Sequence, residues 1–432
     1  MQLLKKKLRI AINAQIPLGS GTGGIETVLR ALTSLGQLND GDEEYVFIGH
    51  WSDPDWLKPF LGARQTIISA PRPKENKPTA AETFKRSLGR LRPLAGKVRR
   101  VFAPPHSRVQ TMPTQICVPV SNGFYESLGC DVIHFPYQDY VYCRVPTVYN
   151  PHDLQHLHYP DFFSPGEIER REIVYPAACR AAEMVVAASD FVKQDVVRNY
   201  GLAEDKVQVI AWAPPETNLE KFAEDEVQFL SAKYELPGAP FALYPAMTWE
   251  HKNHIRLLEA IALLRERRNL RINLVCTGHK NAFWSNIERR LRELRLEEQV
   301  KFLGVVSHRE LSALYLQAQF VVIPTLFEAA SAPLFEAWQH KTAAACSSVT
   351  SLPEQAVDAA LLFNPFSVEE IAGALKRMAT DEGLRRTLRA NGTRRLADFS
   401  LERTARAYRA VYRKAGGAHL SSEDRRILSS SV

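Results

Sequence analysis

Phe320-Val321-Val322-Ile323-Pro324-Thr325-Leu326-Phe327-Glu328-Ala329-Ala330-Ser331-Ala332-Pro333-Leu334-Phe335-Glu336-Ala337-Trp338 joins an apolar run to a helical pattern and carries two glutamates with seven residues between them. The unbroken apolar run from Phe320 to Ile323 reads as a strand buried on both faces. Pro333 suits the first turn of a helix, where its missing N–H is harmless. Glu328 is therefore expected in the strand-to-helix loop and Glu336 in the first turn of the helix. In a doubly wound fold, ligands bind outside the carboxyl ends of the strands. Two acceptors there, beside free helix N–H groups, suit a polyhydroxyl ligand that carries phosphate. The same spacing also describes two solvated acids that merely favour a helix dipole, so the surroundings have to decide.

Outward from this stretch, apolar runs alternate with helical patterns in both directions. Leu8-Arg9-Ile10-Ala11-Ile12-Asn13, Tyr45-Val46-Phe47-Ile48-Gly49, Asp131-Val132-Ile133-His134-Phe135, Pro146-Thr147-Val148-Tyr149-Asn150, Met184-Val185-Val186-Ala187-Ala188 and Val207-Gln208-Val209-Ile210 read as strands of a first half. After a break at Ala213-Pro214-Pro215-Glu216, a second set begins at Phe241-Ala242-Leu243-Tyr244-Pro245. It continues through helices over 254–265, 282–296 and 309–317, strands at 272–276 and 300–303, the opening stretch, a strand near 344–346 and a helix over 368–379. Such alternation predicts two α/β units with parallel sheets covered on both faces and a cleft between them. The expected divisions are 1–213, 217–400, a helix over 401–415 and a polar tail over 416–432 without structure of its own.

Bulk composition narrows the class. The chain of 432 residues has 45% hydrophobic and 24% charged residues, ordinary values for a globular protein long enough for two or three cores. A net charge of +7 leaves room for an anionic partner. Six cysteines without a CxxC pair fit small buried hydrophobes in a reducing compartment. No apolar run approaches the roughly 20 residues that span a bilayer. Met1-Gln2-Leu3-Leu4-Lys5-Lys6-Lys7 has no signal-peptide core behind it, so a cytoplasmic protein is expected. Between residues 71 and 110, eleven Lys or Arg face two Glu, with Leu88, Leu91, Leu94, Val98, Val101 and Phe102 interleaved. That pattern fits either a basic amphipathic segment on an anionic membrane surface or a solvated insertion loop. No interleaved aromatic-and-basic motif points to nucleic acid.

Three further segments fall at expected carboxyl ends. Gly21-Thr22-Gly23-Gly24-Ile25-Glu26 opens a helix after the first strand, where glycine lets backbone N–H groups approach a phosphate or sugar. Gly19, Gly21 and Gly24 spell GxGxxG too far beyond the strand for the dinucleotide fingerprint, and a plain turn is the alternative. Trp249-Glu250-His251-Lys252-Asn253 puts a lysine where it could neutralise a leaving diphosphate, although most lysines are simply exposed. His152-Asp153 follows the strand ending at Asn150. His152 and His156 would suit zinc only on a helix, which Pro151 and Pro160 oppose, so no metal site is expected. No Gly-x-Ser-x-Gly elbow supports a hydrolase, and Asp53-Pro54-Asp55 reads as a capped turn.

Together these segments resemble the retaining glycosyltransferases of family 4 (glycosyl transferases group 1). The likeness rests on Gly23-Gly24-Ile25-Glu26, His152-Asp153-Leu154 and Ala188-Ser189-Asp190-Phe191-Val192-Lys193-Gln194-Asp195. It continues through Leu243-Tyr244-Pro245-Ala246, His251-Lys252-Asn253-His254, Phe302-Leu303-Gly304, Glu328 to Glu336, and the run from Ser348 to Pro365. The resemblance implies a GT-B fold: two Rossmann-like domains facing each other across a cleft. It implies hexosyl transfer, with mannose favoured, from a nucleotide-diphosphate sugar to a saccharide or lipid-linked saccharide acceptor. A noncatalytic GT-B module that binds a nucleotide or partner is the alternative. Glu328, His152 and Lys252 would be catalytic, and Gly23, Gly24, Lys252, Ser331, Leu334 and Glu336 would bind the donor. No cofactor or metal is implied, and the place of work would be the cytoplasm, with segment 71–110 reaching the inner face of the plasma membrane. Two departures stand out: Ala329-Ala330-Ser331 where the family often has Gly-Phe-Gly, and Met247 where an arginine often precedes the lysine. His251 and His279 are the candidates to replace that cation.

Overall fold

The structure is a computed structural model that describes residues 7–16, 23–72, 116–214, 230, 232–237 and 240–429. The basic segment from residue 73 onward, Gly19, Gly21 and the Pro215-Glu216 part of the interdomain break lie outside the described residues.

The first sheet contains β1 (Arg9–Ala14), β2 (Glu44–Gly49), β3 (Gln65–Ser69), β4 (Val132–Phe135), β5 (Thr147–Tyr149), β6 (Met184–Ala187) and β7 (Val207–Val209). Its order is β3-β2-β1-β4-β5-β6-β7, with every pairing parallel. The second contains β8 (Phe241–Pro245), β9 (Asn273–Thr277), β10 (Val300–Phe302), β11 (Phe320–Ile323), β12 (Ala344–Ser347) and β13 (Leu361–Phe363). Its order is β10-β9-β8-β11-β12-β13, again all parallel. Central strands such as β4, β6, β11 and β12 are buried along their whole length. Helices on both faces produce that burial, which is why these strands lack alternation in sequence.

Each sheet has one place where neighbouring strands leave in opposite directions: between β1 and β4, and between β8 and β11. Splayed connections open a crevice there. The loops at the second crevice are Trp249–Asn253 after β8 and Phe327–Ser331 after β11, so the fold itself brings the lysine segment to the first glutamate.

The C-terminal helix Leu401–Ala415 lies on the first sheet, burying Ala405, Tyr408, Val411 and Tyr412. His134 on β4 donates from Nε2 to Asn150 Oδ1 (3.0 Å) and accepts at Nδ1 from the Tyr412 hydroxyl (2.8 Å). Asn150 Nδ2 in turn donates to Tyr408 (3.0 Å). The stretch after residue 415, expected to lack structure, contains helix Ser422–Ser429. Its polarity misled the reading because its one buried residue is a paired aspartate, Asp424. Arg413 bridges Glu43 (2.6 Å) and Asp424 (2.9 Å), and Asp424 also accepts from the Ser421 N–H (2.8 Å).

Helix Glu382–Leu396 and edge strand β3 had no clear apolar pattern in the sequence. The helix matters to the site. Its Gly392 lies so close to Trp338 that a Cβ would fall 2.3 Å from the indole ring. Trp338, fixed by Nε1 donating to Ala359 O (3.1 Å), anchors the helix that carries Glu336.

Candidate active site

Beyond β11 the chain is pinned at each residue. Thr325 is fully buried, its hydroxyl directed at Phe327 O (3.0 Å) and His251 O (3.2 Å). Leu326 N–H donates to His251 O (2.7 Å). Asn253, in the left-handed region at φ 61°, donates from Nδ2 to Pro324 O and Pro365 O, both at 2.9 Å. The Tyr244 hydroxyl donates to Lys252 O (2.7 Å). The two loops are therefore one rigid unit, and their side chains meet: Lys252 Nζ lies 2.5 Å from Glu328 Oε1. From the other side, Glu328 N–H donates to Thr350 Oγ1 (3.0 Å), and the Ser351 hydroxyl donates to Glu328 O (2.9 Å).

Helix Ala332–Gln339 begins with Ser331 at its N-cap position. Glu336 thus falls in the second turn rather than the first, because the helix starts only at Ala332. It is half-buried and accepts from the Tyr315 hydroxyl (2.6 Å). Burial pushes its carboxyl above the ordinary range, while Tyr315 and His308 pull the other way. Ser331 is 1% exposed, its N–H donating to Gln355 Oε1 (2.8 Å) and its carbonyl accepting from Gln355 Nε2 (2.9 Å). Its buried hydroxyl has no partner among the described residues. Leu334 is fully buried in the second core, so its side chain holds the helix and only its first-turn N–H can face a ligand.

Opposite these groups stand the residues singled out in the first half. Gly23 opens helix Gly23–Thr33. At Gly24 a Cβ would sit 3.0 Å from the Trp212 ring, so the close approach to that indole requires a residue of this size. Trp212 also meets His152 edge-on, 6.4 Å between centroids. His152 adopts φ 65° and donates from Nε2 to Pro136 O (2.8 Å), which leaves Nδ1 with its lone pair. Burial holds this imidazole below its ordinary pKa, against the Pro136 bond and Asp153. It is a neutral acceptor at Nδ1, and the helix that holds His156 (Gln155–His158) begins only after it. His156 contacts Phe163 and Tyr175 instead, without a hydrogen bond at either nitrogen. Among the described residues no group of three or more His, Cys, Asp or Glu side chains could hold a metal ion.

His251 does not replace the missing arginine. Burial, with Lys252 and His254 adding to it, pushes its pKa well below the ordinary value, so the ring carries no charge near neutrality. His279 is exposed, its carbonyl accepting from Thr248 N–H (3.2 Å). What the sequence reading missed is the first domain's reach into this loop: the Tyr159 hydroxyl donates to Leu326 O (3.3 Å). A cavity of about 50 Å³ lies between the domains, bounded by Ser189 and Trp212 on one side and Ala329, Ala330, Phe335 and Glu354 on the other. Burial raises the Glu354 carboxyl pKa, opposed by the N–H of Phe191.

Two parallel sheets with their crevices facing one cleft define a GT-B glycosyltransferase architecture. Solved structures with this fold include a glycosyltransferase from Rickettsia africae (TM-score 0.63, 15% identity, 95% of this chain and 99% of that one). Another is Anabaena Alr3699/HepE in complex with UDP and glucose (TM-score 0.64, 14% identity, 94% and 99%). Residues 22–212 match the model of Glycosyltransferase Family 4 and residues 226–395 that of Glycosyl transferases group 1. The chain belongs to glycosyltransferase family 4. Among its relatives, the O-antigen chain mannosyltransferase B of Escherichia coli is 26% identical over 293 residues, 64% of this chain and 75% of that protein. The serotype-specific mannosyltransferase WbdA of Escherichia coli is 32% identical over 232 residues, 52% of this chain but only 28% of that longer protein.

Proposed function

We propose that the protein moves a hexosyl group, mannose by preference, from a nucleoside-diphosphate sugar to an acceptor hydroxyl with retained anomeric configuration. The observation that carries this reading is the Lys252–Glu328 pair at the crevice of the second sheet, with Glu336 half-buried eight positions further on. A diphosphate would take Lys252 and the free N–H groups of helix Ala332–Gln339, which stabilise the negative charge of a leaving group. Glu328, released from the lysine, would accept hydrogen bonds from the hydroxyls of the transferred sugar. Glu336 would hold the ribose, with Gly23 and Gly24 supplying backbone contacts. The lone pair on His152 Nδ1 suits a sugar hydroxyl. Same-face attack, in which a leaving phosphate oxygen takes the acceptor proton, needs no further base. It also needs no metal, since Lys252 and the helix supply the charge.

The names of the relatives, O-antigen and serotype-specific mannosyltransferases, support mannose and a role in surface polysaccharide or lipid-linked saccharide synthesis. Cytoplasmic work at the inner face of the plasma membrane is the matching location. No described helix is long and apolar enough to cross a membrane. The membrane contact through 71–110 rests on the sequence alone. A thermal-shift screen across UDP-, GDP- and ADP-sugars identifies the donor, because a ligand of the folded state raises its stability. Release of the nucleoside diphosphate with that donor should then be lost in Glu328→Ala; turnover that survives defeats the catalytic reading in favour of a binding module. A screen in which a non-mannosyl donor alone binds and turns over defeats the choice of mannose.

A further inference from the structure

The loop around Glu328 belongs to the second domain, yet its neighbours on either side take their surroundings from the first. Phe327, 3% exposed, has the ring of His158 at 5.4 Å, Phe191 at 5.8 Å and Tyr159 at 6.2 Å. Leu326 O accepts from the Tyr159 hydroxyl at 3.3 Å. On the far side of Glu328, Ala329 is buried within the first domain's hydrophobic cluster. These first-domain groups are themselves fixed. His158 Nε2 pairs with Asp195 Oδ2 (2.8 Å), whose Oδ1 accepts from Asn199 Nδ2 (2.8 Å). Tyr159 stacks in parallel on Phe162 (5.1 Å), and Phe162 lies 6.4 Å from the His251 ring, one residue before Lys252.

We propose that His158, Tyr159 and Phe191 are positioning residues: by seating Phe327 and Leu326 across the cleft, they set the Glu328 carboxylate for the donor sugar. The inference rests on the donor reading of Glu328 above. The physical argument is one of preorganisation. The edge-to-face rings of Tyr159 and Phe191 fix both distance and angle, the tilted ring of His158 (39°) packs beside them, and a hydrogen bond to the carbonyl of Leu326 fixes the backbone two residues from the carboxylate. The Glu328 backbone is held by Thr350 and Ser351 of its own domain, so the first domain contributes orientation on the opposite side. When the first domain withdraws, Phe327 loses three aromatic neighbours at once. The sugar site is therefore assembled by contact between the domains, whereas the nucleotide contacts of Glu336 lie within the second domain alone.

The test uses the full chain and compares wild type with the double variant His158→Ala/Tyr159→Phe, which removes one ring contact and one hydroxyl without touching the second core. A misplacement of about 1 Å costs on the order of 100-fold in rate. The double variant should accordingly lose on the order of 10- to 100-fold in kcat/KM for the nucleotide sugar found to be the donor. Calorimetric binding of the nucleoside diphosphate alone should stay within about 2-fold of wild type, which general damage to the fold would not allow. His158→Phe, which keeps a ring against Phe327 but loses Asp195, should recover most of the activity that His158→Ala loses. Wild-type kcat/KM in the double variant, an equal loss of diphosphate affinity, or no recovery with phenylalanine each overturns the proposal. Absence of turnover with any nucleotide sugar in the wild-type protein overturns the donor reading and the inference together.

Discussion

Lys252 Nζ sits 2.5 Å from Glu328 Oε1 although 76 positions separate the two residues. The contact follows from strand order: β8 and β11 are hydrogen-bonded neighbours, and the loops at their carboxyl ends leave on opposite sides of the same crevice. Both side chains are largely buried, at 20% and 14% exposure, so neither charge is well solvated without the other. Substituting one member should therefore hurt more than the worth of the pair itself. Glu328→Gln and Lys252→Ala are each expected to lower donor turnover by about 100- to 1000-fold, the scale for removing one charge-stabilising group. Steady-state rates of nucleoside-diphosphate release measure this, and a loss below tenfold in both would contradict the assignment.

Gln355 clamps Ser331 through two hydrogen bonds to its backbone, at 2.8 and 2.9 Å. In Gln355→Leu a buried N–H and a buried carbonyl lose their partners, at a cost of about 1–3 kcal/mol for each group left unsatisfied. Thermal unfolding of the second domain should shift down by several degrees. The KM for the donor should rise with it, since Ser331 starts the helix that faces the diphosphate.

Gly392 leaves no space for a Cβ, which would stand 2.3 Å from the Trp338 ring. Gly392→Ala must displace either the indole or the helix, and such overpacking costs typically about 1–3 kcal/mol. A denaturant titration should show a lower midpoint; an unchanged midpoint would mean that Trp338 moves freely, against its bond to Ala359.

Removing Arg413 leaves Glu43 and Asp424 facing each other without their shared cation. Breaking a buried ion pair from one side costs about 3–5 kcal/mol. Arg413→Met is expected to detach helix Ser422–Ser429, seen as faster cleavage of the C-terminus in limited proteolysis.

His134 and His254 are wholly buried and neutral, with burial pushing both pKa values down to about 3. Their unfolded counterparts bind a proton near pH 6.5. The unfolded chain thus holds more protons than the folded one between about pH 3 and 6.5, and stability falls as pH drops through that window, at up to about 1.4 kcal/mol per pH unit for each group. Melting temperatures taken from pH 7.5 down to 4.5 should decline steadily from about 6.5; a flat profile would show that these imidazoles charge without unfolding.

The amino-acid sequence by itself determined the two parallel sheets, because strands covered on both faces must be apolar throughout and such runs as Phe320–Ile323 and Met184–Ala187 admit few other readings. It also placed Lys252 and Glu328 at carboxyl ends of strands, since strand-then-helix order requires a loop there. Edge strand β3, with alternating partial exposure, and helix Glu382–Leu396, rich in arginine, left no such pattern. The helix Ser422–Ser429 was hidden because its polar residues are neutralised by partners on distant elements. Only the tertiary structure decided that Glu336 is held by the Tyr315 hydroxyl, that His251 is neutral, and that Phe327 is enclosed by rings from the other domain. Each of these depends on groups far apart in the chain being brought within a few ångströms, and local sequence carries no record of such neighbours.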